Sequence, residues 1–220
     1  MRRNPLKTTE IYHVVNRSIA GYTIFNNNHE FFRMLSAIRY YQRKNPEISF
    51  SKLFEPDSDG KKSSCDFGVL QSNEKLVDIV SYCLMPTHFH LILKQLVDNG
   101  ISTFINNVAN SYSRYFNLKH KRKGPLWEGR FKSILVKSDE QLLHLTRYIH
   151  LNPVTAFILN APEKWPMSSY TEYLSLTEEN DRICNYHTIL NIEPSAYKKF
   201  VEDRISYQRE LAKVKDLLLE

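Results

Sequence analysis

The spacing of hydrophobic positions changes period several times along the chain, and each change marks an element. Ile11 to Arg17 is β-branched and aromatic and is followed by Gly21 and the Asn26-Asn27-Asn28 cluster, which predicts a strand and then a turn. From Asn28 the apolar residues Phe31, Phe32, Leu35, Ile38, Tyr40 and Tyr41 recur at three-to-four spacing, predicting an Asn-capped amphipathic helix that stops at Asn45-Pro46. Residues 46–75 hold Pro46, Pro56, Gly60 and Gly68 with little periodicity, and read as an irregular insertion or a long hairpin. Asp78–Met85 and His88–Lys94 are two strands joined at Pro86-Thr87, most simply an antiparallel pair. Asn99-Gly100 opens a second helix with Phe104, Ile105, Val108, Ala109, Tyr112, Tyr115 and Phe116 on one face, ending in the basic loop His120–Pro125.

Arg130 to Val136 alternates as a strand. Ser138-Asp139-Glu140-Gln141 then begins a helix, with a capping serine and acids suited to the helix N-terminus. That helix runs through Leu142, Leu145 and Ile149 and is expected to end near Asn152, because Pro153 disfavours the α conformation of its predecessor. The order β-α-β-β-α-β-α predicts an α+β fold, a ferredoxin-like or RRM-like antiparallel sheet with helices packed on one face. Trp165–Tyr170 and the helix-favouring stretch from Ser195 to Glu220 form a small helical C-terminal tail. The expected division is a core over 1–155, interrupted at 46–75, and a helical extension over 156–220.

At 220 residues the chain suits one domain with a sizeable core. Residues 114–147 contain nine lysines and arginines against three acids, a surplus of six that equals the formal net charge of the whole chain. Charge so concentrated points to a polyanion such as nucleic acid as partner, although a solvated lysine-rich face remains the plain alternative. Cys65, Cys83 and Cys184 are odd in number and lack C-x-x-C spacing, so they read as reduced thiols of a soluble cytoplasmic protein. No signal peptide and no apolar run approaching the ~20 residues of a membrane span are indicated.

The chemistry centres on His88-Phe89-His90. Strand alternation places both imidazoles on one face, where two histidines can hold one divalent ion; they also read simply as polar residues of a half-buried strand. Such an ion wants a further ligand and an open position. In the later helix Tyr148 and Asn152 are four apart and share a face, with His144 a turn earlier. Laid across the histidine side of the sheet, that face would offer an amide oxygen to the ion and a phenol beside it, a nucleophile facing an activated phosphate. A phenol with a pKa of about 10 needs the ion or a cation, for which Arg147 and Lys137 are candidates, to ease its deprotonation. Tyr148 is one of thirteen tyrosines, and a tyrosine on an amphipathic helix is usually a core residue.

Four blocks carry a resemblance. Tyr12–Arg17, Tyr82–Leu91, Gly124–Lys132 and Arg147–Val154, in that order, are similar to the single-tyrosine HUH transposases. Trp165–Tyr170 resembles the branch associated with repetitive extragenic palindromes (REP). The likeness covers roughly residues 8–175 apart from 46–75. It implies that His88 and His90 are metal ligands and that Tyr148 forms a 5'-phosphotyrosine link with single-stranded DNA, releasing a 3'-hydroxyl. The broken bond is stored as an ester, so cutting and rejoining need no nucleotide cofactor. Asn152 matches the position of a third polar ligand, often glutamine in relatives, and here shorter and next to a proline. Mg²⁺ or Mn²⁺ is the ion implied, although two imidazoles alone would also accept Zn²⁺.

The basic residues Arg114, Lys121, Arg122, Lys123, Arg130 and Lys132 are candidates for the phosphates of a DNA hairpin, with Asn16 and Arg17 as further DNA contacts. Trp127 and Tyr115 are candidates for base stacking or for the core. Two rival functions stay open: a metal-dependent phosphodiesterase that activates water, and a non-catalytic, domesticated regulator that binds hairpin DNA. Monomer and homodimer are both compatible with the sequence.

Overall fold

The structure, a computed structural model, describes residues 5–44, 49–51, 53 and 74–217. Its centre is the hairpin of β2 (Val77–Met85) and β3 (His88–Gln95), paired antiparallel across the two-residue turn Pro86-Thr87. The tip of this hairpin is tied down. Pro86 accepts hydrogen bonds from the amides of Ile24 (2.9 Å) and Phe25 (3.2 Å), and the Thr87 carbonyl accepts one from Ser18 (2.9 Å). β1 (Ile11–Arg17) pairs antiparallel with the other side of β3, and β4 (Lys132–Leu135) pairs with β1. The sheet order β2-β3-β1-β4 is that of the ferredoxin-like plan, as the order of elements predicted.

Successive side chains of β3 serve two layers. Phe89 meets the ring of Trp127, which also packs against Tyr112 of α2 (Gly100–Lys119), and α2 lies against α1 (Asn28–Tyr41). His90 turns the other way and meets Tyr148 of α3 (Asp139–Thr155). Helices on one face therefore describes α1 and α2 but not α3, which covers the opposite face. The cause is visible in β2: nearly every residue from Val77 to Met85 is buried whichever way it points, so both faces need a cover.

The helix ends follow local rules. Asn27 accepts from the Glu30 amide and caps α1, while the Glu30 carboxylate turns inward to Lys119 (2.8 Å), His120 (2.7 Å) and Asn26 (2.8 Å) and ties α1 to the end of α2. Burial alone would raise the Glu30 pKa, but Lys119, Asn26 and His120 together hold it at about 2. Gly100 begins α2 because a Cβ there would sit 2.3 Å from the Leu76 carbonyl oxygen. Ser138 caps α3 by accepting from the Gln141 amide (3.1 Å), and the Gln141 side chain accepts from Lys137 (2.7 Å).

Two boundaries differ from expectation. β4 begins at Lys132, so Arg130 precedes the strand instead of lying on it. α3 does not stop at Asn152 but runs through Pro153 to Thr155, and the carbonyls of Asn152 and Pro153 still accept from Ala156 (2.9 Å) and Ile158 (3.0 Å). A proline removes one N–H and one intrahelical bond. In this last turn Pro153 and Val154 are buried, and Arg209 donates to the carbonyls of Val154 (3.3 Å) and Leu159 (2.9 Å), so packing overrides the local preference. The predicted 46–75 insertion falls almost wholly outside the described residues, as does Cys65; within it Phe50 packs on Tyr40 and Tyr41. Cys83 and Cys184 are buried free thiols.

The C-terminal tail completes the core. Met167–Ser169 runs along the outer edge of β2, where Leu84 donates to Met167 (2.9 Å) and Ser169 to Tyr82 (3.0 Å), covering an otherwise open sheet edge. Then follow α4 (Tyr170–Tyr173), α5 (Pro194–Glu202) and α6 (Ile205–Leu217), with α5 and α6 packed on α3. Among the described residues no helix is long and apolar enough to cross a membrane.

Candidate active site between the sheet and its covering helix

The site is laid out by strand register. Arg17 of β1 stands opposite His88, and Val15 stands opposite His90 on one side and Lys132 of β4 on the other. Facing residues share a side of the sheet, so Arg17, Val15 and His13 of β1 lie beside the two histidines and Lys132. The rings confirm the arrangement. His88 and His90 have centroids 5.0 Å apart, His13 stacks on His90 at 5.2 Å, and Tyr148 meets His90 edge-on at 5.9 Å and His13 at 6.4 Å. Tyr148 is 44% exposed, a large value for an aromatic ring that packs against two others. It is therefore not a core residue.

Both histidines have their Nδ1 engaged and their Nε2 without a hydrogen bond among the described residues. His88 Nδ1 is hydrogen-bonded to Thr87 Oγ1 (3.0 Å) and His90 Nδ1 to His13 Nε2 (3.0 Å). Burial pushes the pKa of His13 to about 4, burial and Arg17 push His88 to about 4, and burial with His88, His13 and Arg17 pushes His90 to about 2. The imidazoles are neutral at physiological pH, which is the form that ligates metals. Burial raises the Tyr148 phenol, and the Arg17 guanidinium opposes that rise.

The donor set fits a divalent ion. Among the described residues no group of three or more His, Cys, Asp or Glu side chains is placed to hold one, so a further protein ligand has to be of another type. Asn152 lies one turn beyond Tyr148 on the same side of α3, and its buried amide Nδ2 has no hydrogen-bond partner. The two ends of an amide are interchangeable by a flip, so the same position can present an oxygen to a cation.

Other candidates are distributed differently. Asn16, Arg17, Arg130 and Lys132 line one cleft of about 310 Å³ with Val15, Glu128 and Gly129, beside the histidines. Asn16 itself is buried and accepts from the Arg17 amide (3.1 Å). Arg114 is on the far side of the sheet, in a groove between α1 and α2 with Arg33, Tyr41 and Tyr115. Lys121 and Lys123 are exposed on the loop after α2, but Arg122 is bound into that loop, donating to Pro125 (2.7 Å), Asn117 (3.1 Å) and Gly124 (3.4 Å). Arg147 is not the cation of the tyrosine: it lies over the Phe200 ring and donates to the Phe200 carbonyl and pairs with His144, and that role falls to Arg17. Trp127 belongs to the core, its Nε1 donating to Ala109 (3.1 Å). His13 lies within the Tyr12–Arg17 block, where the sequence reading gives it no role; its alternation with Arg17 on β1, the same signal that pairs His88 with His90, is the clue.

The fold and site together define a class: a ferredoxin-like sheet with a His-x-His pair on the face that α3 covers and a tyrosine of that helix set against it. Residues 68–152 match the family model described as transposase, IS200-like. A putative REP-associated tyrosine transposase of Haemophilus influenzae is 28% identical over 104 residues, 42% of this chain and 58% of that protein. The match thus spans little more than half the length of that curated relative. A solved structure of a REP-associated tyrosine transposase bound to a REP hairpin superimposes with a TM-score of 0.54 at 15% identity, covering 84% of this chain and 92% of that one. At that identity it speaks for the fold. The resemblance to single-tyrosine transposases of the REP-associated branch, read from the sequence blocks, is borne out by the family-model match and the Haemophilus influenzae relative, and the expected fold by the superposition.

Proposed function

We propose that this chain is a metal-dependent transposase or endonuclease that cuts and rejoins single-stranded DNA beside a hairpin through a phosphotyrosine at Tyr148. The observation that carries this reading is the half-exposed Tyr148 ring set edge-on against His90 within a single chain. His88, His90 and Asn152 would hold Mg²⁺ or Mn²⁺, and such an ion, when bound, supplies positive charge to a phosphate oxygen. Attack by Tyr148 Oη on phosphorus forms the Tyr–O–P bond and breaks the P–O3' bond. The phenolic proton leaves the tyrosine and a proton reaches the departing 3'-oxygen. Arg17 favours the phenolate that attacks, and with Lys132 and Arg130 it lines the cleft through which the strand is led. Rejoining is the reverse step with another 3'-hydroxyl. The solved relative bound to a REP hairpin supports a hairpin as the partner.

The test is a labelled hairpin with a single-stranded flank, incubated with Mn²⁺ and run on a denaturing gel. Wild type should give a protein–DNA adduct and Tyr148→Phe none, with hairpin affinity kept. Cleavage by Tyr148→Phe at the wild-type rate would favour water activation, and binding by wild type without any cleavage would favour the non-catalytic reading.

A further inference from the structure

We propose that His13 is a positioning residue for His90, fixing the tautomer and tilt of that imidazole so that its Nε2 lone pair points to the bound ion. The inference rests on the metal-dependent reading above and concerns a residue outside the ligand set. Three observations carry it. His13 Nε2 and His90 Nδ1 are 3.0 Å apart, and the rings lie nearly parallel, 14° between planes. The backbone of His13 is held by the sheet on both sides, in an inner strand between Ile92 of β3 and Ile134 of β4. The neighbouring ligand has the same device, since His88 Nδ1 is taken by Thr87 Oγ1 (3.0 Å), leaving Nε2 on both imidazoles for the ion.

The proton inventory is definite. A neutral His90 that ligates through Nε2 carries its hydrogen on Nδ1, so His90 Nδ1–H donates and His13 Nε2 accepts. His13 then carries its own hydrogen on Nδ1. A bound cation withdraws charge from the His90 ring and strengthens this hydrogen bond, which is how an outer partner raises affinity without touching the ion. Direct ligation by His13 is not what the geometry shows, because His13, His88 and His90 are not placed as a three-residue metal group.

The test uses the full chain and two variants. His13→Phe keeps an aromatic ring of similar size and removes both nitrogens, and His13→Gln restores an acceptor on a side chain of similar reach. Mn²⁺ affinity is read by calorimetry, and the His90 tautomer in metal-free protein by long-range ¹H–¹⁵N spectra. His13→Phe should weaken Mn²⁺ binding roughly 10- to 100-fold, while folding normally by circular dichroism, and His13→Gln should recover most of that affinity. In wild type His90 should be the Nδ1–H tautomer, and in His13→Phe a mixture. Unchanged Mn²⁺ affinity in His13→Phe, or an unchanged His90 tautomer, overturns the proposal and leaves the metal reading standing. Wild type that takes up no divalent ion overturns the metal reading, and this proposal with it.

Discussion

His150 is a residue through which the fold holds the Tyr148 helix in place, and its replacement is open to a worked estimate. It is fully buried two residues after Tyr148, with Nδ1 bonded to Tyr197 Oη of α5 (2.7 Å) and Nε2 to Ser169 Oγ (2.8 Å) and Ser81 Oγ (3.0 Å). One imidazole thus joins α3, β2, the edge segment and α5. Changing His150→Leu removes these bonds, each worth about 1 kcal/mol net, and strands buried hydroxyls at roughly 1–3 kcal/mol, partly offset by the more apolar side chain. The expected loss at pH 7 is about 3 kcal/mol, read from guanidinium unfolding. A double-mutant cycle with Tyr197→Phe should show a coupling of about 1 kcal/mol, because the two residues share a bond.

The pH dependence gives an independent check. Burial lowers the His150 pKa to about 3 from 6.5, so the folded chain keeps this imidazole neutral where the unfolded chain protonates it. Its contribution is fully present above pH 6.5 and declines on acidification towards pH 3, at about 1.4 kcal/mol per pH unit. The gap between wild type and His150→Leu should therefore narrow by roughly 2–3 kcal/mol between pH 6.5 and 4.5. A gap that stays constant over that range, or a loss under about 1 kcal/mol at pH 7, refutes the reasoning.

Two further outcomes follow from particular contacts. Arg17→Gln removes the cation that opposes the burial-driven rise of the Tyr148 phenol, so adduct formation at pH 7 should fall roughly 10- to 100-fold and its pH profile should move to higher pH; an unmoved profile would show that Arg17 serves the DNA alone. Gly100→Ala drives a methyl against the Leu76 carbonyl oxygen and should cost about 2–3 kcal/mol in a denaturant titration, whereas Gly129→Ala, with nothing within 4 Å of its Cβ, should be nearly neutral; equal effects would place the cause elsewhere than this contact.

How much of this was legible beforehand depended on the range of the interactions involved. The order of elements, the β2–β3 hairpin at Pro86-Thr87 and the shared face of His88 and His90 follow from period and turn chemistry, which are local. The length of α3 past Pro153 was not legible, because it is decided by buried Pro153 and Val154 and by Arg209, some fifty residues away in α6. The side of the sheet that α3 takes entered only as a condition, that its Tyr148 face lie across the histidines, and no local pattern fixes it. It depends on β2 being buried on both faces, which a period-two pattern cannot register when both sets of positions are apolar.

The cation beside Tyr148 shows why the candidate site was read only by halves. Arg147 adjoins the tyrosine in sequence, and adjacency made it the natural partner. Neighbours in a helix point about 100° apart, so Arg147 is carried to Phe200 while the tyrosine turns to the sheet. Arg17 is 131 positions away and reaches the phenol because β1 lies next to β3 and runs antiparallel to it, which sets Arg17 opposite His88. The same pairing brings His13 to His90. β1 thus provides both the cation that opposes the rise of the Tyr148 phenol and the hydrogen-bond partner of His90, and only the sheet order, not the spacing of any motif, contains that information.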